Sequence, residues 1–200
     1  MHAIITVIHE DPVFNESDFS KFRWDNEEYY EKNYITNDIE ESITMVEEYE
    51  KYLRDNINKD KWYGEKLTAL LAEESDLDRI KFYAENEYQE VDENGRLYEK
   101  WNPLGFCDWF VVGGRWANML YDYNGVGHNT LPLSELNINN PNSLDHPYGV
   151  VKEYLGEEEL DTSMESQSGR EEWVRVLEEA KNYSSQEETP LYITLVDIHQ

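Results

Sequence analysis

The chain has 200 residues, 44 of them acidic and 17 basic, for a formal charge of −27. A field of that size repels phosphate backbones, and no basic patch interrupts it, which argues against direct nucleic-acid binding and for solubility or a basic protein partner. The single cysteine, Cys107, excludes an internal disulfide, and no apolar run approaches the roughly 18 residues of a membrane span.

A mean hydropathy of −0.82 looks too polar for a core, but 15 Tyr, 6 Trp and 6 Phe bring large rings that can be buried with their polar edges outward. Length and composition together predict one folded domain over residues 1–200. The start Met1-His2-Ala3-Ile4-Ile5 lacks the basic opening of a signal peptide.

His2 to His9 is β-branched and apolar, a buried-strand pattern. Residues 10–35 are acidic and aromatic with little periodicity, and read as a loop pinned by Phe14, Phe19, Phe22 and Trp24. From 38 to 57 an apolar stripe at Ile39, Ile43, Val46, Leu53 and Ile57 has helical spacing, with Asn37 and Glu40 as its capping pair. Asp60 caps a second helix through Leu67, Leu70 and Leu71, and Ser75 with Asp78 a third through Ile80 and Tyr83. These helices form a segment inserted at about 38–85, with outer limits of 36–86.

Tyr88–Val91 and Leu97–Trp101 flank Asn94-Gly95 as a hairpin. Asp108–Val112 reads as a strand that bends at Gly113-Gly114 and continues from Arg115 to Tyr121. Residues 124–150, punctuated by Gly and Pro, form a connection long enough to suggest a functional loop. A helix near 169–182 and a strand over Leu191–Ile198 complete the chain. The expected fold is α+β: a mostly antiparallel sheet containing both terminal strands, the inserted helical segment, and one helix in the C-terminal half.

The densest signal is Trp101 to Trp116, with three Trp, two Phe, a Gly pair and Arg115 in sixteen residues. Gly113-Gly114 can bring backbone N–H groups to an anion, Arg115 adds a planar fork for phosphate or carboxylate, and Trp109 and Trp116 can stack a base. The bland alternative pairs Arg115 with Asp108 and puts the Trp rings in the core. Within this stretch, Asn102-Pro103, Asp108-Trp109-Phe110 and Gly113-Gly114-Arg115-Trp116 resemble a family of uncharacterised tailed-bacteriophage proteins with the pattern Asn-Pro, four residues, Asp-Trp-aromatic, two residues, Gly-Gly-Arg-Trp. The likeness spans about residues 83–118, including the turn at Asn94-Gly95-Arg96, and departs from the family at Cys107, where Trp is usual. It implies viral origin, and with it residence in the host cytoplasm.

No HExxH, GxSxG or other catalytic or metal signature is present, so no catalytic residue, metal or cofactor is assigned. If the terminal strands pair, however, His2, His9 and His199 can gather with Asp197, Glu10 or Asp11 as an acid–base or metal cluster. Charge is uneven: residues 1–99 carry 27 acids and 11 bases, 100–150 carry 4 and 2, and 151–200 carry 13 and 4. The leading expectation is therefore a phage accessory protein that inhibits a host defence or nucleic-acid-processing complex, anti-CRISPR-like in kind, through acidic surfaces at Glu47, Glu48 and Glu50 and at Glu157, Glu158 and Glu159. The alternative is a nucleotide or signalling-molecule site formed by Trp101, Asn102, Asp108, Trp109, Gly113, Gly114, Arg115 and Trp116.

Overall fold

The computed structural model describes residues 1–157, 159–165 and 168–200. In chain order its elements are β1 (His2–His9), α1 (Glu16–Phe19), β2 (Glu31–Tyr34), α2 (Ile39–Asn56), α3 (Lys61–Ala72), α4 (Asp76–Asn86), β3 (Glu90–Val91), β4 (Leu97–Trp101), β5 (Trp109–Val112), β6 (Leu120–Tyr121), β7 (Gly127–His128), β8 (Thr130–Pro132), β9 (Gly149–Lys152), β10 (Leu160–Asp161), α5 (Gly169–Gln186) and β11 (Tyr192–His199). The chain divides into two compact units, one made of Met1–Glu28 with Leu104–Gln200 and the other of Tyr29–Pro103.

The first unit is built on a sheet in the order β10-β9-β1-β11-β5, with β8 also pairing β11. The two terminal strands are neighbours, antiparallel along their whole length, with His2 opposite His199 and His9 opposite Tyr192. Successive residues of β1 point to opposite faces, so its unbroken apolar run serves two cores at once. Ile4 and Ile8 join Ile193, Leu195 and the α5 residues Trp173, Val176, Leu177 and Ala180 on one face. Ala3, Ile5 and Val7 meet Phe19, Phe22, Cys107, Val196 and Ile198 on the other. Each fully buried side chain of this size contributes about 1.5–3 kcal/mol.

The class is α+β as the pattern predicts, but the sheet is mixed. β9 runs parallel to β1, pairing Ile5 with Gly149 through Ile8 with Lys152. The short run Gly149–Lys152 is hidden at the end of a Gly- and Pro-rich stretch, which is why its sequence reads as loop. The expected strand from Arg115 to Tyr121 is also corrected: Gly113 at φ +75 and Gly114 at φ +49 turn the chain into a 3₁₀ turn over Gly114–Trp116, and only Leu120–Tyr121 is extended. Residues 10–35 likewise hold α1, capped by the Asn15 side chain, and β2.

The long connection over 124–150 is a packed layer. Leu131, Leu133, Leu136 and Leu144 are buried in the core on the α5 side of the sheet. Its backbone is pinned locally, with Asp122 accepting the N–H groups of Asn124 and Val126, and from α5, where the Arg170 guanidinium donates to the carbonyls of Ile138 and Asp145.

The second unit takes in the helical segment together with a three-stranded antiparallel sheet in the order β2-β4-β3. Val46 and Leu53 of α2, Leu67 and Leu70 of α3, Ile80 and Tyr83 of α4, and Leu97 of β4 share one core. The three helices start where short polar side chains cap them: Asp38 accepts from Glu41 N, Asp60 from Trp62 N and Ser75 from Asp78 N. The first cap is Asp38, one residue beyond the expected Asn37. Glu41 instead reaches back to accept the Asn37 N–H at 2.8 Å.

Candidate functional site

The pairing of β1 with β11 sets a cluster of ionisable side chains at one end of the sheet. Because side chains alternate with a period of two, Asp197 and His199 face the same way, and the register puts His2 across from His199. β5 approaches β11 from its other side and sets Trp109 opposite His199. Three segments far apart in sequence thus meet within the first unit.

Asp197 lies at its centre and is 1% exposed. One of its carboxylate oxygens lies 3.1 Å from His2 Nδ1, and the other accepts the backbone N–H of Arg115 at 3.1 Å. His199 Nδ1 lies 2.9 Å from Asp108, and this hydrogen bond holds the Asp108 carboxyl below the usual carboxylate range against the opposing effect of desolvation. The His2 and His199 rings meet edge-on with centroids 5.2 Å apart. Trp109 lies parallel to His199 at 5.7 Å and edge-on to His2 at 5.1 Å. His199 Nε2 is 3.4 Å from the Met1 nitrogen. Among the described residues His2 Nε2 has no hydrogen-bond partner.

The Gly pair explains how Arg115 arrives there. A β-carbon on Gly114 would lie 2.4 Å from Asp197 Cβ, and one on Gly113 would lie 2.5 Å from Asn129 Oδ1. Both positions also hold positive φ, so only glycine lets the turn close onto the buried carboxylate. The turn directs the Arg115 side chain outward: it is exposed, and among the described residues its guanidinium has no ion pair or hydrogen bond. Asp108 is taken by His199, so the expected pairing with Arg115 does not form. Trp116 is half-buried and packs on the core beneath α5.

The residues of the Trp101–Trp116 segment therefore have separate duties. Asp108, Trp109, Gly114 and Arg115 belong to the histidine cluster, Gly113 packs against Asn129, and Trp116 is structural. Trp101 and Asn102 fall in the second unit, where Trp101 is half exposed at the end of β4 and Asn102 is buried.

Of the three histidines expected to gather, His2 and His199 do so and His9 does not. His9 sits at the far end of β1, buried, with Nε2 2.8 Å from Thr194 Oγ1 and Nδ1 2.9 Å from the Asp11 carbonyl. Glu10 and Asp11 therefore lie away from the cluster, at His9's end of the strand. Among the described residues, no three His, Cys, Asp or Glu side chains are grouped to hold a metal ion.

The acidic positions are unequal. Glu47 and Glu48 are exposed on α2, whereas Glu50 accepts from both Arg54 and Arg79 at 2.6 Å. Glu157 lies 3.4 Å from Lys152, Glu159 is exposed, and Glu158 lies outside the described residues. No helix among the described residues is long and apolar enough to cross a membrane. No family model, curated protein or solved structure matches this chain.

Proposed function

We propose that the first unit binds a small phosphate-bearing ligand of the nucleotide class at the exposed side of the histidine cluster, where His2 acts as a proton acceptor. The observation that carries this reading is the His2–Asp197 pair. A carboxylate this deeply buried, held on its other oxygen by the Arg115 N–H, orients the imidazole through Nδ1 and leaves Nε2 for a reacting proton. Arg115, whose guanidinium is unpaired among the described residues, supplies a fork for phosphate oxygens, and Trp109, 38% exposed, supplies a ring for a base.

Calorimetric titration with a panel of linear and cyclic mono- and dinucleotides, followed by phosphorus NMR of any ligand that binds, tests it. Arg115→Ala is expected to weaken binding at least tenfold, and His2→Asn to stop turnover while binding persists. A panel in which nothing binds, or binding indifferent to both Arg115→Ala and Trp109→Ala, overturns the reading.

A second reading retains the acidic surface. The exposure of Glu47 and Glu48, with no cation paired to either among the described residues, favours a basic protein partner, as for a phage inhibitor of a host defence or nucleic-acid-processing complex. Binding of that kind collapses between low and high salt, whereas a stacked and hydrogen-bonded nucleotide is lost only partly.

A further inference from the structure

The second unit contains a cavity of about 390 Å³ lined by Met45, Glu48, Tyr49 and Tyr52 of α2 and by Tyr83 and Glu87 at the end of α4. Spacings of three, four and seven residues set the four α2 side chains on one helical face. The Tyr49 and Tyr83 rings stand edge-to-face with centroids 5.3 Å apart. Tyr52 continues the aromatic wall, its hydroxyl 3.3 Å from that of Tyr63.

Three features of this cavity are unresolved by the fold itself. Tyr49 is 8% exposed, yet its hydroxyl is buried with no hydrogen-bond partner among the described residues, a cost of about 1–3 kcal/mol for an unmet polar group. Glu48 and Glu87 have no counter-cation among the described residues, in contrast to Glu50 two positions on. Glu87 also caps the C-terminal end of α4, whose last turn carries no basic residue, so its charge adds to the negative end of the helix dipole. The rings register this field: burial first, then Glu87, raises the Tyr49 phenol above its ordinary range, and burial, Glu87 and Glu48 do the same for Tyr83.

We propose that this cavity is a receptor for an alkylammonium group, held by cation–π contact with Tyr49, Tyr52 and Tyr83 and by the charges of Glu48 and Glu87. Aromatic rings with flanking carboxylates favour an organic ammonium, quaternary or primary, whereas a hard metal ion needs a shell of several oxygens. The inference stands apart from the histidine cluster; it shares Glu48 with the acidic-surface reading and differs from it in requiring the aromatic wall.

The test follows the tyrosine ring protons by NMR while the full chain is titrated with tetramethylammonium chloride, with Nα-acetyl-lysine amide, and with sodium chloride at matched ionic strength. Saturable shifts at Tyr49, Tyr52 and Tyr83 with either ammonium probe, absent with sodium, are expected. The tighter probe distinguishes a free quaternary amine from a protein lysine as the source. The double substitution Glu48→Gln with Glu87→Gln, at two exposed positions, is expected to weaken binding at least tenfold with an unchanged circular dichroism spectrum. Tyr49→Phe keeps the ring and is expected to bind tetramethylammonium, which has no N–H, within about threefold of the parent, and to weaken binding of the lysine amide, whose ammonium can donate to the Tyr49 oxygen. Shifts that fail to saturate, that sodium reproduces, or that survive the double substitution overturn the proposal.

Discussion

Gly114 packs against Asp197 so closely that a β-carbon on the glycine would sit 2.4 Å from the aspartate Cβ, while its own φ of +49 disfavours any L side chain. Alanine at this position must therefore move the carboxylate away from both His2 and the Arg115 N–H. Gly114→Ala is expected to lower stability by about 2 kcal/mol or more, read from urea unfolding, and to shift the His2 ring signals in NMR. An unfolding midpoint at the parent value would show that the turn is not closed onto Asp197.

A pH dependence follows from His9. Desolvation lowers its pKa from the ordinary 6.5, against the raising influence of the Asp11 carbonyl and charge. The neutral ring is satisfied as it stands: Nδ1–H donates to the Asp11 carbonyl, Nε2 accepts from the Thr194 hydroxyl, and Thr194 and Thr130 share a further bond at 2.7 Å. A group whose folded pKa is depressed binds protons more readily when unfolded, so stability falls as pH drops below about 6.5 towards the folded value. Urea midpoints measured between pH 7.5 and 5 should decline, and His9→Gln should flatten the decline. A flat parent profile would contradict this.

Cys107 is fully buried, its thiol 3.5 Å from the Phe22 carbonyl. Burial, then the adjacent Asp108, pushes its pKa up to about 12. At pH 8 the native protein is expected to react with an aromatic disulfide reagent more slowly than the unfolded chain, on the order of 100-fold or more. Equal rates in the presence and absence of urea would place the thiol at the surface.

At the start of α2, Asp38 accepts the Glu41 N–H at 3.0 Å. Asp38→Ala is expected to cost the second unit about 1 kcal/mol, monitored by helical circular dichroism in urea. Asn37→Ala should cost less, since Asn37 contributes an exposed side-chain contact to Glu41 outside the helix. The reverse order would restore Asn37 as the cap.

The elements most legible in the sequence are those with a strong local period. α2 with its apolar stripe, the caps Asp60 and Ser75, and the terminal strand β1 follow from periodicity and capping chemistry. β9 and β2 do not: β9 sits at the end of a stretch punctuated by Gly and Pro, and β2 is polar and exposed at all four positions, so neither shows an apolar alternation. The Arg115–Tyr121 segment misleads for a related reason: its residues are compatible with an extended chain, and the decision rests on the positive φ of two glycines that close against Asp197 and Asn129.

The sequence by itself determined the acidic charge, the absence of an internal disulfide, the helical segment, the buried terminal strands and the density of aromatic residues around Trp109. These are local or additive properties, readable one window at a time. Only the tertiary structure decided which histidines meet, because the register of β1 on β11 places His2 beside His199 and sends His9 to the other end. It also decided that Asp108 serves His199 and leaves the Arg115 guanidinium without a partner among the described residues, since partners 91 positions apart are chosen by strand pairing and turn geometry, to which no local sequence pattern refers.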